Sequence, residues 1–236
     1  DQALAALGDA RTMAEQSRGR ADVARARLAA RFPSLSLPAH APEADLPMLP
    51  ADGLQALGQQ VIARSHEIGA ADAEASRMAR LADRARRDRL ADPSVGVRLF
   101  SERNGAERGA GVVLSMPIGG RARSATADRV AAESQAAAAE RSLVRIDVQE
   151  VADSDVTRVG ANFAAWQRTR EALDAQVAAL QKLRRGQDLG AIDLADVLQA
   201  ERLTHAAFRS EALARTEAHR AINRLLIDSH NLWISE

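Results

Sequence analysis

Beyond Pro117 this sequence contains no proline, and that absence constrains the fold more than any other feature. All seven prolines lie between Pro33 and Pro117. Proline removes a backbone donor and clashes with the preceding helical turn, so a proline-free, alanine-rich stretch is free to form long helix. From about Arg121 to Arg185 the only weak breaker is Gly160. Helical throughout, such a stretch would run on the order of 100 Å. A brief interruption at RRGQDLGAID precedes a second proline-free run, about Leu194 to Trp233. Two long consecutive helices with a tight turn between them predict an antiparallel helical hairpin.

Composition supports helices packed on helices. Aromatics make up 3% of the chain, there is no Tyr, and the apolar content is mainly Ala, Leu and Val. Such small side chains suit close helix packing better than a conventional globular core. Lys+Arg and Asp+Glu are 32 each, giving zero formal net charge, which weighs against a nucleic-acid partner. The chain has no cysteine, so disulfides, thiolate metal sites and a cysteine nucleophile are excluded. No run approaches the roughly 20 apolar residues of a spanning helix. Asp1 lies already inside a helical pattern, as expected of a mature or truncated chain.

Upstream, Leu4, Leu7, Val23 and Leu28 among alanines and charges mark residues 1–31 as the end of a helix. RFPSLSLPAHAPEADLPMLPADG then holds five prolines and reads as an extended connector. Its interleaved Leu35, Leu37, Leu46, Met48 and Leu49 favour a strap packed on something over a disordered linker. Helical periodicity returns over 53–91 with Leu54, Leu57, Val61, Ile62, Ile68, Met78 and Leu81.

Between the helical regions, residues 93–118 read as two alternating strands joined by NGAE. Val95, Val97 and Leu99 share one face of the first. Ala110, Val112, Leu114, Met116 and Ile118 share one face of the second. Each strand has about ten residues, the length that crosses a bilayer at a barrel-like tilt. A lone hairpin is unstable in water, so something must complete the sheet. One reading is a β-arm packed on a soluble helical body. The other is a contribution to a barrel shared between subunits, because only closed sheets satisfy their backbone in lipid.

The order of helix, hairpin, long helix, tight turn, long helix resembles one structural repeat of the TolC-like outer membrane factors, most closely the CzcC/CusC type. The matching segments are DPSVGVRLFSE, VVLSMPIGGRARSA, LGAIDLADVLQAE and LIDSHNLW. The resemblance covers residues 44–236 as a second repeat, with residues 1–43 as the end of a first-repeat helix plus connector. It implies a mainly α fold, with long helical hairpins lining an α-barrel tunnel and one β-hairpin contributing to a trimeric β-barrel. The implied function is a passive exit duct in the outer membrane of Gram-negative cells, its tunnel in the periplasm. The duct would serve a tripartite efflux pump of heavy-metal or multidrug type. The implied partners are two further copies, a periplasmic adaptor, an inner-membrane pump and outer-membrane lipid, with no cofactor and no nucleic acid.

At residue level, Leu189, Gly190 and Ala191 match the motif that meets the adaptor at the tip. Gly190 is expected to let helices approach closely, with Gly186 as the turn glycine. Asp196 matches the acidic position that rings the closed aperture, where repelling carboxylates would gate cation passage. Gln199 and Ile192 replace a second acidic and a basic residue found in relatives, so any such ring is single. Val95, Val97, Leu99, Val112, Leu114 and Met116 are the expected lipid-facing set. Family members carry two repeats, a signal peptide and often an acylated cysteine; this chain shows one repeat.

No phosphate-cradling loop, nucleophile elbow or acid–base pair marks an enzyme. His40, His66, His205, His219 and His230 show no metal-ligand spacing. The competing class is a soluble coiled-coil scaffold or an adaptor-like module. An adaptor, however, flanks its helical hairpin with strand-rich halves, and here strands lie on one side only.

Overall fold

The structure, a computed structural model, describes residues 2–38, 44–89, 93–116 and 120–232. Expectations for His40, for the strand exit at Pro117 and Ile118, and for Trp233 lie outside the described residues. The fold is mainly α with one β-hairpin. The elements in order are α1 (Gln2–Arg31), α2 (Leu54–Ala63), α3 (His66–Arg87), β1 (Ser94–Glu102), β2 (Glu107–Ser115), α4 (Arg121–Asp188) and α5 (Leu194–Asp228). The chain divides into two compact units through which α4 and α5 both run: residues 1–54 with 157–224, and residues 55–156 with 225–236.

In the first unit, α4 and α5 meet along a seam of seven-residue period. Val159, Trp166, Leu173 and Leu180 are buried on α4; Val197, Thr204, Glu211 and Ala218 are buried on α5. A strict seven-residue repeat is the signature of coiled-coil packing. Two of the α5 positions are polar and are satisfied locally. Thr204 Oγ1 donates to the Ala200 carbonyl at 2.8 Å. Trp166 Nε1–H donates to Glu211 Oε1 at 2.9 Å, and Arg215 approaches the other carboxylate oxygen at 3.3 Å. Removing the Glu211 carboxylate would strand these donors, at a cost of about 3–5 kcal/mol for a buried charged partner.

The connector behaves as a strap on α5. Arg215 donates to the Ala44 carbonyl at 3.2 Å, and His219 Nε2 bonds the Asp45 carbonyl at 2.6 Å. Pro47 is buried, while Leu46, Met48 and Leu49 remain exposed. On α1 the apolar Leu4, Leu7, Met13, Val23 and Leu28 are also exposed.

In the second unit, the sequence reading of one helix over 53–91 gives way to two, α2 and α3. Ser65 interrupts the run as an N-cap, its Oγ accepting from Ile68 N–H at 3.2 Å. Serine competes for backbone donors in this way without any proline or glycine. Gly58 lets α2 lie against α4: a Cβ there would stand 2.8 Å from Val156 Cγ2. On α3, Asp72 pairs with Arg145 at 3.0 Å and Arg141 at 3.3 Å of α4. The end of α5 is tied to α2 by Arg64, which donates to the Ser229 carbonyl at 2.8 Å, and by Asn231, which donates to Gln60 Oε1 at 2.7 Å.

Candidate functional site

The hairpin is antiparallel with unbroken register. Val95 faces Leu114, Val97 faces Val112, and Leu99 faces Ala110. Directly opposed residues share a face, so the apolar stripes read from the two strands combine into one surface. Each strand has nine residues, about 30 Å of extended chain. The opposite face carries Ser94, Arg98, Glu102, Gly109 and Gly111. There Phe100 lies over Gly109, where a Cβ would fall 2.3 Å from its Cζ. The connection is a short 3-10 turn in which Arg103, Asn104 and Gly105 all have positive φ, at 49°, 57° and 93°. Arg103 pairs with Glu107 at 2.8 Å across it.

None of this apolar face is covered. Val95, Val97, Leu99, Val112, Leu114 and Met116 are 70–78% exposed. Fully burying a Val or Leu side chain is worth about 1.5–3 kcal/mol, so the five strand residues leave on the order of 10 kcal/mol unrealised in water. Both strands are also edges, with unpaired backbone groups along their outer sides. The hairpin thus presents one apolar face and two open edges among the described residues.

The helix-turn tip is built differently. Gly190 adopts φ 74°. Its N–H donates to the Gln187 carbonyl at 2.8 Å, and the Ala191 N–H donates to the Gly186 carbonyl at 2.9 Å. These are the two bonds of a Schellman cap, with Gly190 at the left-handed position. Ile192 then folds back over Gly186, where a Cβ would lie 2.6 Å from Ile192 Cγ1. Leu180, Val197 and Ala200 form a small core beneath, with Leu183 and Ile192 packed on it. Arg184 and Glu201 close its side at 2.6 Å.

The turn glycine is therefore Gly190 and not Gly186. Gly190 serves the turn through its positive φ, with open space around its missing Cβ. Gly186, expected to be the turn glycine, is helical and makes room for a side chain. Leu189 projects from the tip at 85% exposure, beside exposed Gly190 and Ala191. Asp196 is exposed in the first turn of α5. A carboxylate there favours the helix dipole by about 0.3–1 kcal/mol. Among the described residues no three His, Asp or Glu side chains converge as a metal site, and no helix is long and apolar enough to cross a membrane.

The seam of α4 and α5 escaped the sequence reading. Its signal is present as Val159, Trp166, Leu173 and Leu180 at intervals of seven, but alanines and charges on every other face dilute any apolar stripe.

No family model and no curated protein matches the sequence. Solved structures do match the fold. The outer membrane protein VceC from Vibrio cholerae aligns with TM-score 0.61 and 17% identity, over 78% of this chain and 49% of its own. A membrane protein from Pseudomonas aeruginosa aligns with TM-score 0.59 and 15% identity, over 86% and 53%. CusC, whose structures describe transmembrane channel formation, aligns with TM-score 0.60 and 12% identity, over 83% and 51%. These neighbours are membrane and channel proteins. The fold is that of a TolC-like outer membrane factor. The chain spans about half the length of the structures it matches.

Proposed function

We propose that this chain is one repeat of an outer-membrane exit duct for a tripartite efflux pump. Residues 44–236 form the second repeat, and residues 1–43 carry the end of a first-repeat helix with its connector. The observation that carries the reading is the hairpin: nine-residue strands in register, with one uncovered apolar face. In the proposed assembly Val95, Val97, Leu99, Val112, Leu114 and Met116 face lipid, and hairpins of neighbouring subunits join edge to edge into a trimeric barrel. The α4–α5 coiled coil supplies the wall of a periplasmic tunnel.

The duct is passive, and an inner-membrane pump joined through a periplasmic adaptor drives export. The class of cargo is heavy-metal ions or drugs. Leu189, Gly190 and Ala191 meet the adaptor: the cap holds the turn rigid, and Leu189 offers the apolar side chain. Asp196 lines the aperture, one carboxylate per subunit, where mutual repulsion and cation binding set the gate.

The test is flotation of the purified chain with lipid vesicles, followed by protease protection of the hairpin. Insertion of residues 94–115 supports the duct. A chain that remains soluble without detergent and leaves lipid untouched is a helical scaffold instead.

A further inference from the structure

The formal net charge of the chain is zero, yet its charge is unevenly placed around the hairpin. The helices that lead into and out of the two strands are the end of α3 and the start of α4. Residues 77–89 and 121–129 together hold nine arginines against three aspartates. The three aspartates are each taken by one arginine: Asp83 by Arg86 at 3.6 Å, Asp88 by Arg84 at 3.8 Å and Asp128 by Arg89 at 4.0 Å. Arg77 pairs with Glu74, and Arg129 with Glu133. Among the described residues no carboxylate lies within ion-pair distance of Arg80, Arg87, Arg121 or Arg123.

Two features distinguish this from a solvated helix face. First, Arg121 and Arg123 stand in the first turn of α4, which has no acidic residue. The partial positive charge of a helix N-terminus disfavours cations there, so an anion outside the chain offsets that cost. Second, an open groove of about 550 Å³ runs along α3, lined by Ala73, Ser76, Arg77, Arg80, Leu81 and Arg84. Of its three guanidinium groups Arg80 has no carboxylate partner among the described residues and suits a phosphate diester, and Ala73 and Leu81 offer apolar surface beside it. Free anions need no such surface. A phospholipid, with glycerol and acyl carbons next to its phosphate, matches both halves.

We propose that the arginine-rich ends of α3 and α4 dock anionic phospholipid headgroups of the bilayer that receives the hairpin. This inference rests on the membrane reading of the hairpin and adds a lipid preference to it. The arginines anchor the open end of the hairpin at the headgroup level, which fixes how deep the strands sit.

The test is flotation of the 236-residue chain with vesicles of phosphatidylcholine alone, or of phosphatidylcholine mixed with phosphatidylglycerol. Each arginine at an anionic surface is worth about fivefold in partition at low salt. The chain should therefore favour the mixed vesicles by more than about tenfold, with the preference lost at high salt. Replacing Arg80, Arg87, Arg121 and Arg123 by Glu should abolish the preference; the same four changed to Gln give a milder set should the reversal impair folding. Helical circular dichroism reports the fold in each case. Equal partition into both vesicles, or a preference that persists in a folded quadruple variant, overturns the proposal. The two readings fail separately. Equal binding that Val112→Asp abolishes keeps the hairpin and removes the lipid preference. Anionic-only binding that survives Val112→Asp keeps the basic patch and removes the inserted hairpin.

Discussion

The hairpin and the helix-turn tip are both chain reversals, yet they solve opposite problems. At the tip every device is local. Gly190 supplies the left-handed residue, the cap takes up the last carbonyls, and Ile192 folds over Gly186 onto its own small core. In the hairpin the turn and register are complete but the sheet is not, for among the described residues neither the apolar face nor the outer edges find partners. A tip of this kind is finished when the chain folds; in the proposed duct the hairpin is finished only by lipid and other strands. The difference separates what a single chain determines from what an assembly must supply.

The largest effect should break the hairpin side. Val112→Asp places a carboxylate in the middle of the apolar face, a burden somewhat below the ~2–4 kcal/mol of a basic side chain at the bilayer midplane. Vesicle flotation should fall to background while the helical circular dichroism is unchanged. A loss of helicity would show instead that the hairpin packs on the helices.

On the tip side, Gly186→Leu forces its side chain against Ile192 and should destabilise by about 1–3 kcal/mol. The Ala191 amide, bonded to residue 186, should lose hydrogen-exchange protection while flotation is unaffected. Gly190→Ala retains the space but not the conformation, and should cost about 1–2 kcal/mol in urea unfolding.

A third locally completed end gives a smaller effect. Ser65→Ala removes the N-cap of α3, worth about 1 kcal/mol. Ser65 Oγ also donates to Glu67 at 2.8 Å. That bond, ahead of a backbone bond and the nearby His66 and His230, holds the Glu67 carboxyl below its ordinary value. A lowered carboxyl contributes stability above its unfolded pKa and loses it as pH falls through the folded value. Ser65→Ala should therefore flatten the acid side of the stability profile as well as lower it. The smallest change in stability should come from Leu189→Ser, within about 0.5 kcal/mol for an exposed residue. Its expected effect is on adaptor binding alone, read by pull-down with the adaptor.

The long helices and the strand pair were legible in the sequence because their signals are strong and repeated. Proline is absent over α4 and α5, and apolar residues alternate from Val95 to Leu99 and from Ala110 to Leu114. The break at Ser65 was not, because a serine cap leaves the flanking apolar period intact. The roles of Gly186 and Gly190 were not separable, since sequence shows two glycines near a turn but not which one carries φ 74°. Nor was the pairing of Trp166 with Glu211, because a charged residue at a seam position looks like a surface residue until its partner helix is in place.

A two-stranded sheet has two open edges, and joining a second hairpin to it leaves two open edges still. The number stays at two however many hairpins are added in a row, until the last meets the first and it drops to none. Each junction nonetheless hides two edges that separate copies would expose, so the open edge per copy falls as the row grows and reaches none only on closure. In the proposed barrel, then, a partial row carries the same two open ends as a single copy, and only the closing contact removes them.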